Sequence, residues 1–245
     1  MPTIFKFSPN KEYCIKTLIE NKLYFSDPKG FNDPFDGRPE LVNVKFETSQ
    51  DIKEYFVKLN KSSFVPQLEK IDEILSLALI EKGAIDTYKR LLKSKMSEIF
   101  VCCFSTSKSN NLMWYNYANN HKGFVSEFYA EIFNKREIEV EYRKDFPFLN
   151  PAKISKDAPH LLNSIFKYKS IEWSHEKEIR LLSINNYGSY NSEYLKSVYF
   201  GMNSSKKLKR DIFEGINSVH NHVKFYQMKR IDNSYILGYD EIHRP

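Results

Sequence analysis

The chain has 245 residues, of which 41% are apolar and 28% charged, a balance typical of an ordinary globular protein with a sizeable core. Its 37 basic and 31 acidic residues give a net charge of +6, which permits contact with nucleic acid without requiring it. Three cysteines without disulfide or metal spacing, and no apolar run long enough for a membrane helix, lead us to expect a cytoplasmic protein without membrane contacts.

Short apolar runs alternate with helical spacing along the chain. The predicted strands cover, in chain order, residues 3–7, 23–25, 99–104, 123–128 and 138–142, one strand entered at Glu176-Lys177-Glu178, and then 198–200, 223–228 and 235–237. Helices are predicted after a cap and first-turn proline at Ser8-Pro9, within 49–97, and over 109–119, 157–168 and 204–219.

This order of elements indicates the fold class. Short strands mixed with segregated helices favour an α+β fold over a doubly wound parallel sheet. Because no repeat or linker is evident, we expect a single domain over 1–245 with a helical insertion at about 49–97. The sequence has no dinucleotide-binding or Walker glycine loop, so neither type of nucleotide site is expected.

Two polar segments in the first part of the chain could bind a ligand. Lys6 and Ser8 place a cation and a hydroxyl at the end of the first strand. The loop Phe31-Asn32-Asp33-Pro34-Phe35-Asp36 is rich in turn formers, yet its two phenylalanines are unusual for a plain solvent loop. Asn32 and Asp33 either stabilise the turn or bind ribose hydroxyls, and the sequence leaves both roles open.

A third polar segment follows the buried strand at 99–104. Ser105 ends this strand in a hydroxyl, and the short helix after it carries Trp114, Tyr115 and Tyr117. These rings could form a wall against which a nicotinamide or a base stacks. Core aromatics at helical spacing are an equally good explanation for Trp114.

The most informative segment is Trp173–Leu182, in which two carboxylates lie at the entrance of an apolar run. Alternate side chains of an extended chain share a face, so Glu176, Glu178 and Arg180 are predicted to project together. A Glu-x-Glu pair there suits chemistry that stabilises a developing cation and removes a nearby proton. An edge strand with a solvated charged face is the competing interpretation.

Several segments resemble one bacterial family, which is catalogued as a domain of unknown function and occurs near phage-defence genes. The similarity spans most of the chain in the same order, and it implies membership without an activity. The segments are Leu23-Tyr24-Phe25-Ser26, Phe31-Asn32-Asp33-Pro34-Phe35-Asp36, Cys103-Phe104-Ser105, Met113-Trp114-Tyr115-Asn116-Tyr117-Ala118, His121-Lys122-Gly123-Phe124 and Trp173-Ser174-His175-Glu176-Lys177-Glu178-Ile179-Arg180.

The order of elements also resembles, more distantly, the ADP-ribosyltransferase fold, particularly the toxins that modify nucleic acid. Those toxins carry a His or Arg and then a hydroxyl on the first strand, where this chain has Lys6 and Ser8. Their middle strand ends in an aromatic-hydroxyl segment, as at Phe104-Ser105, and their catalytic glutamate enters a late strand, as Glu178 does. Lys6 departs from the usual residue, and the Glu-x-Glu spacing is that of arginine-type transferases.

This resemblance implies a split β-sheet core, NAD as substrate and no metal. Glu178 would stabilise the positive charge that builds on ribose as nicotinamide leaves, and Glu176 would accept a proton from the nucleophile. The implied cofactor contacts are Lys6 with the pyrophosphate, Ser8 and Ser105 with the nicotinamide ribose, Asn32 and Asp33 with ribose hydroxyls, Trp114 or Tyr117 with the leaving ring, and Arg180 with an ionised Glu178.

The implied activity is that of a toxin in phage defence or in a toxin–antitoxin system. Its acceptor would be a nucleic acid, with RNA favoured, and an antitoxin protein would be a further partner. Two alternatives stay open. The first is a metal-dependent nuclease with Asp33, Asp36, Glu176 and Glu178 as oxygen ligands. The second is a non-catalytic defence module that senses a nucleotide.

Overall fold

The described part of the protein consists of two units. The computed structural model describes residues 2–58, 74–154, 162–163, 165–218 and 220–243, with only the backbone described for 74–78. The first unit contains residues 1–27, 100–140 and 172–245, and the second contains 28–99 and 141–171. The single domain predicted over 1–245 stays a prediction.

Strands and helices occur in both units, which confirms the predicted α+β class. The strands are β1 (Thr3–Ser8), β2 (Lys22–Tyr24), β3 (Asn43–Val44), β4 (Phe100–Ser105), β5 (Phe124–Tyr129), β6 (Ile138–Glu139), β7 (Glu141–Arg143), β8 (Phe148–Leu149), β9 (Tyr168–Ser170), β10 (Glu178–Ser183), β11 (Tyr187–Ser189), β12 (Leu195–Phe200), β13 (Lys224–Arg230) and β14 (Leu237–Glu241). The helices are α1 (Glu12–Ile19), α2 (Ser49–Lys58), α3 (Ile74–Met96), α4 (Asn111–Tyr117) and α5 (Lys206–Asn217).

An eight-stranded sheet forms the centre of the first unit, in the order β14-β13-β12-β5-β1-β4-β10-β6. Neighbouring strands are antiparallel except β12 and β13, which form a parallel pair connected through α5. The first strand of the chain thus lies inside the sheet, between β5 and β4. The split β-sheet core of an ADP-ribosyltransferase is more specific than this strand order alone establishes, so it stays a prediction.

One face of the sheet, which we call the helix-covered face, carries the main apolar core. Helices α1 and α5 pack on it. In α5 the buried Leu208, Ile212 and Ile216 recur every four residues and form one apolar side, as expected for an amphipathic helix. The strand residues of this face include Ile4, Phe104, Phe128, Ile179 and Val198.

The opposite face, which we call the site face, mixes apolar and polar side chains. Residues paired across neighbouring strands share a face. Phe5 pairs with Ser105 and with Glu127, and Ser105 pairs with Glu178. One row across β10, β4, β1 and β5 therefore consists of Glu178, Ser105, Phe5 and Glu127, and all four are buried.

The first helix begins later than the sequence predicts. β1 continues through Ser8, which pairs with Phe124 and is buried. Helix α1 begins at Glu12, and its N-cap residue Lys11 makes no side-chain cap hydrogen bond. The predicted Ser8 cap is therefore wrong, because strand pairing holds this residue in the sheet.

The second unit contains α2, α3 and two parallel strand pairs, β3 with β8 and β7 with β9. The two helices confirm the helical character predicted within 49–97, while residues 59–73 and half of the helix predicted over 157–168, at 157–161 and 164, lie outside the described residues. Residues 162–163 and 165–166 are helical, but Tyr168 already belongs to β9, so the predicted end of that helix is wrong. Tyr55 of α2 packs against Phe46 and against Tyr88 of α3. Among the described residues, no helix has the length and apolar character needed to cross a membrane.

Candidate active site on one face of the sheet

A buried ion pair lies at the start of β10. Arg180 Nε and Nη2 donate to Oε1 and Oε2 of Glu178 at 2.8 and 2.9 Å. The side chains of Arg180 and Glu178 are 0% and 5% exposed, and both lie on the site face, as strand alternation predicts. Burying two charges stabilises a fold little or not at all compared with apolar residues, so this pair is a candidate for a functional role.

Glu176 does not belong to this strand. It ends a short 3₁₀ turn, Ile171–Glu176, and Lys177 then adopts a left-handed φ of 47° before β10 begins. The predicted common strand face of Glu176, Glu178 and Arg180 is therefore wrong for Glu176. The break arises because Ser105 Oγ donates to the Glu176 carbonyl at 2.6 Å, and this bond holds the turn against the end of β4.

A hydroxyl from helix α4 holds the Glu176 carboxylate. Tyr117, the last residue of the helix, donates its hydroxyl to Glu176 Oε1 at 2.5 Å, and Glu176 is 3% exposed. A hydrogen bond to the charged form of a carboxylate favours ionisation. Tyr117, implied by the resemblance as a ring that stacks nicotinamide, here uses its hydroxyl to orient Glu176.

Asn110 connects this helix to the same turn. Its side-chain oxygen caps α4 by accepting the backbone N–H groups of Leu112 and Met113, and its Nδ2 donates to the His175 carbonyl at 2.7 Å. Asn110 is not among the site residues predicted from the sequence, although an asparagine directly before a short helix is a favoured N-cap.

Lys108 anchors the loop between Ser105 and Asn110. Its ammonium lies 5.0, 5.1 and 4.9 Å from the ring centroids of Phe5, Tyr199 and Tyr239, within the range of cation–π attraction. Its carbonyl accepts the indole N–H of Trp114 at 2.7 Å. The loop is therefore held through both a side chain and the backbone. No local pattern identifies Lys108, because its ring contacts come from β1, β12 and β14.

Trp114 is a core residue of the site face. It is fully buried, contacts Phe7 edge to face with the ring centroids 5.5 Å apart, and stacks on His121 at 6.1 Å. Of the two explanations left open by the sequence, the structure supports core packing. The suggested stacking of Trp114 on a leaving ring is wrong because its ring is enclosed by the protein.

Lys6 and Ser8 lie on the other side of the sheet from Glu178. Phe5 is on the site face, so its neighbour Lys6 faces the helix-covered side, where its Nζ lies 5.8 Å from the Phe104 ring centroid. Ser8 shares that side through strand alternation. The structure therefore does not bring these two residues together with Glu178.

The predicted residues of the Phe31–Asp36 loop belong to the second unit. Asp33 Oδ1 accepts the backbone N–H of Phe35 at 2.9 Å, which supports the turn role for Asp33, and Asn32 is exposed. Asp36 forms an ion pair with Lys169. Within the described ranges, no group of three or more His, Cys, Asp or Glu side chains could hold a metal ion.

Cys103 lies opposite Arg180 on β4. Burial raises the pKa of its thiol well above the ordinary value, and the neighbouring Glu178 carboxylate raises the pKa further. Burial likewise raises the pKa of the Cys102 thiol. Both thiols are therefore protonated at neutral pH.

Glu127 is a second buried carboxylate in the site-face row. Lys196 Nζ donates to its Oε1 and the Tyr199 hydroxyl to its Oε2, each at 2.9 Å. Burial opposes ionisation, but these hydrogen bonds outweigh it and hold the pKa of Glu127 below its ordinary value. The sequence signal was a single acidic residue within the apolar strand predicted at 123–128.

The lowered pKa of Glu127 gives an expected pH dependence. A depressed folded-state pKa stabilises the fold above the unfolded-state value of about 4.3, and this contribution is lost as the pH falls through the folded-state pKa. We expect the free energy of unfolding of Glu127→Gln to fall less than that of the wild type on acidification from pH 7. Urea unfolding over this pH range measures the difference, and parallel curves would contradict it.

Comparison with known proteins assigns no family. No family model, no curated protein and no solved structure matches the chain. We therefore infer a function for the chain from the chemistry of its own buried residues.

Proposed function

We propose that the protein is an NAD-dependent ADP-ribosyltransferase that acts as a toxin in phage defence or in a toxin–antitoxin system. Its proposed acceptor is a nucleic acid, with RNA favoured, and an antitoxin protein is a proposed partner. The observation that supports this best is the site-face row, in which the Arg180-held carboxylate of Glu178 lies beside Ser105 and Phe5 on adjacent strands.

Glu178 has the properties that this reaction requires. Cleavage of the nicotinamide–ribose bond builds positive charge on the ribose, as in glycoside cleavage. A carboxylate fixed by a bidentate guanidinium supplies negative charge without reorganisation, and a preorganised group of this kind is worth about 3 kcal/mol. A carboxylate oxygen can accept two hydrogen bonds, so a ribose hydroxyl can bind to oxygens that also bind Arg180.

Glu176 is the proposed proton acceptor. The bond from Tyr117 fixes its carboxylate, and general-base catalysis contributes about 10²–10⁴-fold in rate. Ser105, which the resemblance assigns to ribose binding, has a positioning role in this proposal because its hydroxyl donates to the Glu176 carbonyl.

The net charge of the protein supports a nucleic acid as the proposed acceptor. A net charge of +6 favours association with a polyanion, and the transferred group must reach a nucleophile on it. The nuclease alternative has less support. Glu178 binds a guanidinium and Asp36 binds the ammonium of Lys169, and cations in these positions repel a metal ion.

The experiment that tests this function incubates the full-length protein with NAD labelled in the adenylate part. Separate samples contain RNA, DNA or protein from cell extract, each with a chelator present. We expect label in RNA together with released nicotinamide. Unchanged NAD in every sample, or nucleic acid that is cleaved only after metal addition, would overturn the proposal.

The role of Tyr117 gives a further expected result. Tyr117→Phe removes the bond to Glu176 but keeps the ring, so we expect kcat for transfer to fall about tenfold with the KM for NAD unchanged. Tyr115→Phe is the matched control, because Tyr115 lies on the same helix and is 60% exposed. Equal kcat values for the two variants would show that Tyr117 does not assist Glu176.

A further inference from the structure

The Phe31–Asp36 loop of the second unit is fixed from inside by polar contacts. Asp33 closes a turn onto the backbone N–H of Phe35. Asp36 forms an ion pair with Lys169 at 3.6 Å, and the two side chains are only 1% and 6% exposed. Gly37 follows with a φ of 64°, and a Cβ there would lie 3.1 Å from Pro28. This loop is therefore built as a rigid platform.

The platform presents an aromatic ring to solvent. Phe35 is 56% exposed, between two anchoring aspartates that are 3% exposed. It lines a small pocket with Phe146, which is 43% exposed, and with Tyr168. Two half-exposed phenylalanine rings beside one pocket form an apolar patch, and such patches are typical of binding sites. The other lining residues are Gly37, Arg38, Val42, Pro147, Leu149 and Ile165.

A guanidinium belongs to the same pocket. Arg38 Nε and Nη2 lie 3.3 and 3.4 Å from the carbonyl oxygens of Pro34 and Lys29, which orient the group without neutralising its charge. Two cations beside the lining residue Tyr168, Arg143 and Lys167, both form ion pairs with Glu141 and lie over the Tyr168 ring. Among the described residues that line the pocket, Arg38 is thus the one cation.

We propose that this pocket binds an unpaired nucleobase of single-stranded nucleic acid. The base stacks on Phe35 and Phe146, and Arg38 binds an adjoining phosphate. Every base has a flat π-face, so aromatic platforms bind single strands with little sequence preference, and a guanidinium forms strong hydrogen bonds to phosphate. This inference rests on the proposed nucleic-acid acceptor and assigns it a contact in the second unit.

The test measures the affinity of a fluorescent single-stranded RNA oligonucleotide by anisotropy, without NAD. We expect Phe35→Ala to weaken binding about tenfold, from the typical stacking energy per base, and Arg38→Gln to weaken it and reduce its salt dependence. Phe148→Ala is the matched control, because Phe148 is 40% exposed in the same unit but does not line the pocket. A duplex of the same sequence has no unpaired base, so we expect it to bind the wild type, Phe35→Ala and Phe148→Ala equally.

The outcomes separate this inference from the proposed function. Equal RNA affinity of Phe35→Ala and Phe148→Ala would overturn the pocket even if ADP-ribose transfer occurs. Loss of RNA binding in Phe35→Ala, in a protein that never consumes NAD, would support the pocket and leave the transferase proposal wrong. A Phe35→Ala defect in binding of NAD alone, with RNA binding intact, would assign the pocket to a dinucleotide and overturn the inference.

Discussion

Glu178→Gln is expected to lower the rate of ADP-ribose transfer by about 10²–10³-fold. The amide keeps the size of the side chain and can still accept a hydrogen bond from Arg180, but it removes the negative charge that would oppose the ribose cation. Transfer of label from NAD under single-turnover conditions measures the loss, and circular dichroism verifies that the variant is folded.

Glu193→Gln is the control for this substitution, because it makes the same chemical change at an exposed position of the same unit. Its rate is expected to equal that of the wild type. If Glu178→Gln transferred label as fast as Glu193→Gln, Glu178 would not be the catalytic carboxylate.

Arg180→Met is expected to lower the free energy of unfolding by about 3–5 kcal/mol, because Glu178 then loses its guanidinium partner inside the protein. The double variant Glu178→Gln with Arg180→Met removes both charges, and we expect it to recover most of this loss. Urea unfolding at pH 7 of the wild type, the two single variants and the double variant gives the coupling energy.

This double-mutant cycle shows whether the Glu178–Arg180 pair stabilises the fold or is retained for another reason. A double variant about as stable as the wild type would show that the pair is retained for a reason other than stability. A double variant as unstable as Arg180→Met would contradict our view that the cost comes from the buried charge of Glu178.

Local periodicity in the sequence identified part of the site. The period of two in a strand places Glu178 and Arg180 on one face, and the structure confirms this. The same rule failed at Glu176 because Lys177 adopts a left-handed backbone, which a lysine does not signal. Side-chain alternation predicts a common face only as far as the strand extends.

The face of the first strand could not be predicted from the sequence, for a different reason. Resemblance aligned Lys6 with the cofactor-binding residue of known toxins, but pairing with β4 and β5 turns Phe5 to the face of Glu178. A shift by one residue exchanges the two faces of a strand. Lys108 was missed for a related reason, since its three ring contacts come from strands distant in the chain.

The central position of β1 has a consequence during protein synthesis. The row that carries Glu178 joins strands from the start, the middle and the late part of the chain, so none of its pairings is local. Sheets made from distant segments form slowly, and a nascent chain that ends before the Ile171–Glu176 turn contains neither Glu176 nor Glu178. The complete row therefore cannot form until nearly three quarters of the chain has been synthesised.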